Sequence, residues 1–132
     1  MLDVGTGSGL LAIAAVRLGA ARALGSTAAD AIESARENLA LNPDVRDVAF
    51  EVADLASSAL PTADVVTANL TGVLLVRAAA RLAGAVRPGG TLILGGPLTH
   101  EREQVHGAFA AMEVSWECNE DGWTGLVLRL PH

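Results

Sequence analysis

Lysine and tyrosine are absent from the 132 residues, and only two phenylalanines, two tryptophans and one cysteine are present. Each shortage removes a class of function. With aromatics at 3% of the chain, a nucleic-acid module built on base stacking is excluded. All nine cations are arginines, scattered from Arg17 to Arg129, and the formal net charge is −6. No basic run therefore exists to grip a phosphate backbone, and no direct nucleic-acid partner is expected. The acidic balance leaves a basic protein as the easier partner. Cys118 alone can form no intrachain disulfide, which fits a reducing compartment. The longest apolar run, residues 10–16, is far short of a bilayer span, so no membrane partner is expected. The N-terminus carries no charged region followed by a small-residue cleavage site, and the expected location is cytoplasmic. His100, His106 and His132 show no metal-ligand spacing, so no metal site is expected. The sequence sets no oligomeric state.

What the chain does have is apolar bulk. Residues of that kind make up 51% of it and the mean hydropathy is +0.39, enough for a sizeable core in one domain over 1–132. Short β-type runs alternate with helical stripes. Leu2–Val4 reads as a strand, and Leu10, Leu11, Ala14 and Leu18 follow at helical spacing with Gly19 as the stop. Residues 21–24 read as a second strand. Ile32, Ala35 and Leu39 form the stripe of a second helix ending near Asn42 and Pro43, with Arg36 and Glu37 on its solvated face. Val48, Phe50 and Val52 alternate as a third strand, and residues 64–68 form a compact fourth. Leu75, Ala78, Leu82 and Val86 predict a single third helix, closed by Arg87-Pro88-Gly89-Gly90 before a strand over 91–94. Val105, Phe109 and Met112 support a fourth helix. The tail reads as a hairpin, 114–117 and 123–130 about a turn through 119–122, with Cys118 and Trp123 packing into the core or the hairpin. The alternation predicts an α/β fold, a parallel sheet with helices on both faces. The helix-free ending predicts antiparallel strands added at the C-terminal end.

The most informative stretch is Asp3-Val4-Gly5-Thr6-Gly7-Ser8-Gly9. Glycine at alternate positions, after a strand and before a helix, lets the backbone turn tightly and approach a ligand closely. A dinucleotide site needs glycine at the first, third and sixth places of such a loop. Here the sixth place is Leu10 and the glycines fall at one, three and five, which counts against a nicotinamide-dependent oxidoreductase. Asp3, two places before the first glycine, can accept from a ligand's ammonium group. A tight turn with no ligand is the alternative for the loop.

Leu-Asp-Val-Gly-Thr-Gly-Ser-Gly resembles the first motif of class I methyltransferases. The remainder resembles the ribosomal protein L11 methyltransferase family in particular, through Arg36-Glu37-Asn38-Leu39-Ala40-Leu41-Asn42, Ala53-Asp54-Leu55, Asp64-Val65-Val66-Thr67-Ala68-Asn69-Leu70, Arg87-Pro88-Gly89-Gly90-Thr91-Leu92-Ile93-Leu94 and the closing Asp121-Gly122-Trp123. The first motif and Pro88-Gly89-Gly90 are general to the superfamily, whereas Ala68-Asn69-Leu70 and the tail point to this branch. The resemblance implies a Rossmann-like class I methyltransferase sheet with a C-terminal antiparallel hairpin. It also implies an S-adenosyl-L-methionine-dependent N-methyltransferase acting on a protein, with ribosomal protein L11 as the expected partner and a lysine or N-terminal amine as acceptor.

The resemblance also implies roles. Gly5, Gly7 and Gly9 allow the backbone close to the methionine part of the cofactor, Asp3 stands near its amino group, and Thr6 and Ser8 contact its carboxylate. Asp54, with Leu55 beside it, looks like the reader of the adenine amino group. Its alternative is a strand-end turn former. Asn69, bordering both cofactor and acceptor, is the expected catalytic residue. Its amide oxygen can accept from an amine N–H and aim the nitrogen lone pair, unless it merely caps the helix beginning near Thr71. The family's acidic residue at the end of the second strand, which holds the ribose hydroxyls, has no counterpart here. The segment reads Leu24-Gly25-Ser26-Thr27-Ala28-Ala29, so Ser26 and Thr27 are the expected ribose contacts, with Asp30 inside the next helix. Met1 falls where the family is already well into its first strand. That strand is therefore expected to be truncated, and the family's N-terminal substrate-recognition domain to be absent from 1–132. The competing expectation is a non-catalytic or degenerate domain of the same fold, serving as a binding module or remnant.

Overall fold

The computed structural model describes residues 1–132, with seven β-strands and five α-helices. Two compact units divide the chain, residues 1–58 and 59–132.

The first unit runs β1 (Leu2–Val4), α1 (Leu10–Arg17), β2 (Ala23–Thr27), α2 (Ile32–Ala40) and β3 (Val48–Val52). β2 pairs in parallel with β1 on one side and β3 on the other. Parallel neighbours cannot be joined by a tight hairpin, and α1 and α2 supply the crossovers. Leu2, Val4, Ile32 and Ala35 are buried as their patterns predict. The leucine stripe of α1 is not the buried one. Leu10, Leu11 and Leu18 are exposed, and the helix turns Ala12 and Ile13 inward, where a small alanine lets it sit close to the strands. Strand β2 also lies later than the expected 21–24. Val4 pairs with Ser26, and Thr27 with Val52, so strand pairing on both sides overrides the weak β preference of Gly-Ser. Asp30 is corrected as well. It lies exposed in the turn before α2, not inside that helix. Beyond α2, Arg17 reaches Asp44 from both guanidinium nitrogens at 3.1 and 3.0 Å, and Asn42 Oδ1 at 2.9 Å. That guanidinium holds the Asp44 carboxyl below its usual range.

The second unit runs β4 (Ala63–Asn69), α3 (Gly72–Arg77), α4 (Ala79–Ala85), β5 (Val86–Gly95), a 3-10 turn (Thr99–Glu101), α5 (Arg102–Ala108), β6 (Glu113–Glu120) and β7 (Trp123–Arg129). β4 and β5 are parallel, whereas β7 pairs antiparallel with both β5 and β6, as the helix-free ending predicts. The single third helix of the sequence reading is two. The chain breaks at Ala78, which has φ −93° and ψ 3°, between α3 and α4. Leu75, Ala78 and Leu82 are still buried in one stripe, but Val86 belongs to β5. β5 therefore starts at Val86 and carries Arg87-Pro88-Gly89-Gly90 as a bulge, its register jumping from Ala63↔Val86 to Val65↔Thr91. The hairpin turn is only Asp121-Gly122, with φ 52° and 81°, the pair of left-handed residues that a two-residue turn needs. Trp123 is 54% exposed, so it decorates the hairpin and does not pack into a core. Cys118 is a half-buried free thiol on β6.

Candidate active site

The Gly5–Gly9 loop joins β1 to α1. Gly5, Gly7 and Gly9 have φ of 75°, 55° and 81°, a left-handed backbone at every second residue. A side chain at any of them is strained, which is why the sequence alternates glycine there. The Ser26 carbonyl at the end of β2 accepts two bonds that pin the loop, from the Gly5 amide at 2.8 Å and the Thr6 amide at 2.9 Å. Asn38 on α2 donates its side-chain N–H to the Ser8 carbonyl at 2.8 Å. Phe50 on β3 fills the floor. A β-carbon at Gly9 would stand 2.6 Å from its ring, and one at Gly25 would stand 2.7 Å away. Asp3 is 2% exposed, and Thr6 Oγ1 is buried with no hydrogen-bond partner. Ser8 is exposed, and Gly9 stands at the N-cap of α1 with no side-chain cap.

The strand ends complete this half. Ser26 and Thr27 are both buried, in β2 itself, and the first exposed residue beyond them is Ala28. Asp54 follows β3 and is exposed. Its Oδ1 accepts the Ala56 amide at 2.9 Å and its Oδ2 the Ser57 hydroxyl at 3.0 Å, while its own amide donates to Ser58 Oγ at 2.8 Å. The carboxylate thus organises the turn that contains Leu55.

In the second unit, Asn69 is the exposed last residue of β4. It does not cap α3. Thr71 does, with Oγ1 accepting from the Leu74 amide at 3.4 Å. Gly95 and Gly96, at the end of β5, leave room for the Asn69 side chain. A β-carbon at Gly95 would stand 3.4 Å from its Oδ1, and one at Gly96 3.0 Å from it.

A family model described as "Ribosomal protein L11 methyltransferase (PrmA)" matches residues 1–130. The chain belongs to the ribosomal protein L11 methyltransferase family. Among its relatives is the ribosomal protein L11 methyltransferase of Pelobacter propionicus, 43% identical over 98% of this chain. This chain spans 42% of the length of that relative. The crystal structure of the ribosomal protein L11 methylase from Lactobacillus delbrueckii subsp. bulgaricus superposes with a TM-score of 0.91 at 29% identity, over 99% of this chain and 69% of that one. An RNA methyltransferase from Salinibacter ruber, in complex with S-adenosyl-L-homocysteine, shares the fold with a TM-score of 0.78 at 22% identity, over 99% of this chain and 80% of that one.

Within this family frame the candidate residues sort by place. Asp3, Gly5, Thr6, Gly7, Ser8, Gly9, Ser26, Thr27, Asp54 and Leu55 all lie in the first unit, and Asn69 in the second. Three residues that shape the first of these regions escaped the sequence reading. Asn38 was quoted only within a helix motif and Phe50 only as strand alternation, while Gly25 has no positive φ to betray it. Their roles depend on contacts between segments 25 to 41 residues apart, which no local pattern encodes.

Proposed function

We propose that residues 1–132 act as a catalytic domain that transfers a methyl group from S-adenosyl-L-methionine to an amine of a protein. The acceptor protein is ribosomal protein L11, through a lysine or its N-terminal amine, and the location is the cytoplasm. The observation that carries this reading is the left-handed Gly5-Gly7-Gly9 loop opening onto α1, in a chain matched to the family from residue 1 to 130.

The residues fit the amino-acid end of the cofactor. Thr6 Oγ1 is a buried hydroxyl awaiting a partner, and the space where a Gly7 side chain would stand is open. Asp3 would hold the ammonium group, and the loop amides, Thr6 and Ser8 the carboxylate. Asp54, exposed just after β3, would accept from the adenine amino group, with Leu55 against the ring. The ribose end is thinner, since Ser26 and Thr27 offer only neutral hydroxyls within β2. When bound, the cofactor supplies a methyl group activated on a sulfonium. Asn69 would orient the acceptor, its amide oxygen taking one amine N–H and so fixing the direction of the nitrogen lone pair. In-line displacement requires that alignment more than it requires a general base. The amine loses its proton to water beforehand, because only the neutral form is a nucleophile.

Calorimetric titration with S-adenosyl-L-methionine, followed by transfer of a labelled methyl group to purified L11, tests the reading. Micromolar binding lost in Asp3→Ala, with label on L11 lost in Asn69→Ala, is the expected result. A folded chain that binds no cofactor overturns it in favour of a non-catalytic domain of this fold.

A further inference from the structure

The segment that carries Asn69 is held from two directions. On one, the Leu70 amide donates to the Gly95 carbonyl at 3.0 Å, and a β-carbon at Gly96 would collide with the Leu70 carbonyl oxygen. On the other stands Glu101, the half-buried last residue of the 3-10 turn. Its Oε1 accepts the Leu98 amide at 2.9 Å. The rest of the carboxylate lies over Gly72, the first residue of α3, where a β-carbon would stand 2.6 Å from Oε2 and 2.7 Å from Cδ.

Gly72 needs an explanation. It has no left-handed φ that would call for glycine. Turn geometry therefore does not select it, but the carboxylate does, because any side chain there displaces Glu101. A negative group at the start of a helix is also electrostatically favoured. Two features of the sequence, a glycine without backbone strain and an acid on a short turn 29 residues later, thus meet three residues beyond Asn69.

We propose that Glu101 is a positioning residue for the acceptor side. Its bond to the Leu98 amide and its contact with Gly72 fix residues 69–72, so that Asn69 presents its amide in one orientation. Glu101 touches no substrate in this role, and the proposal rests on the reading of Asn69 as the residue that orients the amine. A displacement reaction tolerates little misalignment, so a drift of about 1 Å in Asn69 lowers turnover roughly 10- to 100-fold.

The test uses Glu101→Ala, Glu101→Gln and Gly72→Ala in the full chain, with two readouts. The first is the NMR signals of the Asn69 side-chain amide and the Leu70 backbone amide, recorded without cofactor. The second is the split between kcat on L11 and affinity for S-adenosyl-L-methionine. Glu101→Ala and Gly72→Ala should both move or broaden the Asn69 and Leu70 signals and lower kcat roughly 10- to 100-fold. Cofactor Kd should stay within about twofold, because binding energy at the other loop is untouched. Glu101→Gln should restore both readouts, since its amide oxygen can take the Leu98 N–H with the same shape. The double variant should be no worse than Glu101→Ala alone. Unmoved Asn69 signals, or unchanged kcat, in a folded Glu101→Ala protein overturn the proposal. If Glu101→Ala does not fold, Gly72→Ala decides on the same readouts. Asn69 signals that respond in a chain that methylates nothing support the positioning contact and sink the transferase reading instead.

Discussion

At the scale of single residues, the candidate site of the first unit is governed by how little room its glycines leave. Gly25 has no unusual backbone, yet a β-carbon there would stand 2.7 Å from Phe50 and 2.8 Å from Thr6 Cγ2. Gly25→Ala is expected to lose about 1–3 kcal/mol in urea unfolding, and Phe50→Leu in the same chain to recover part of it. The proposed ribose end allows a sharper contrast. An acid placed at Ser26 would be buried in β2, whereas Ala28 is exposed directly after the strand. Ala28→Asp should tighten S-adenosyl-L-methionine binding roughly tenfold by calorimetry, through a charge-assisted bond to a ribose hydroxyl. Ser26→Asp should instead cost about 3–5 kcal/mol of stability, as an uncompensated buried charge. Equal effects from the two substitutions would contradict the placement of β2.

Among the elements, legibility followed how local the signal was. The Gly5–Gly9 loop could be read because its glycines answer to their own φ angles. Strands β1, β3 and β4 were read to within a residue or so from alternation or unbroken apolar runs, as was the hairpin's antiparallel course. Strand β2 was misplaced because Ser26 and Thr27 are strand only by virtue of Val4, Glu51 and Val52 beside them. The break at Ala78 was invisible since Arg77, Ala78, Ala79 and Ala80 are all good helix formers, and Val86 continued the helical spacing by coincidence. At the candidate site, Asn69 was singled out through the family motif, but the closeness of Gly96 to its side chain and of Glu101 to Gly72 was not legible. The pairing of α5 with β6 was equally hidden. Arg102 Nε donates to Glu117 Oε2 at 2.7 Å, and Asn119 Nδ2 to the same oxygen at 2.8 Å. These donors, Arg102 first, hold the Glu117 carboxyl below its ordinary value of 4.5. The unfolded chain therefore takes up that proton at higher pH than the folded one. The link is intact above about pH 4.5 and is lost as the pH falls through the folded value. In thermal melts between pH 7 and pH 3, Glu117→Gln should start lower and fall less steeply than the parent. A constant gap would contradict the linkage.

For the molecule as a whole, cofactor and stability are tied by mass action. If the first unit binds S-adenosyl-L-methionine as proposed, a ligand concentration 100 times Kd adds about 2.7 kcal/mol to the folded state. In a chain of 132 residues that corresponds to a rise in melting temperature of roughly 10 °C. An Asp3→Ala chain should show almost no rise, and an undiminished shift there would place the ligand elsewhere. The far end of the second unit has a different consequence. Strand β6 ends its run of strands, so one side of its backbone faces no partner. It carries Glu113, Glu117 and Glu120, with a bulge at Ser115 and an exposed Trp116. Such an edge is a template for unwanted strand pairing between molecules, and its acids and its bulge are what hold a second copy off. As the solution approaches the pI of about 4.9, the net repulsion between molecules vanishes. The same strand that completes the fold at neutral pH thus becomes, in mild acid, the surface from which aggregates grow.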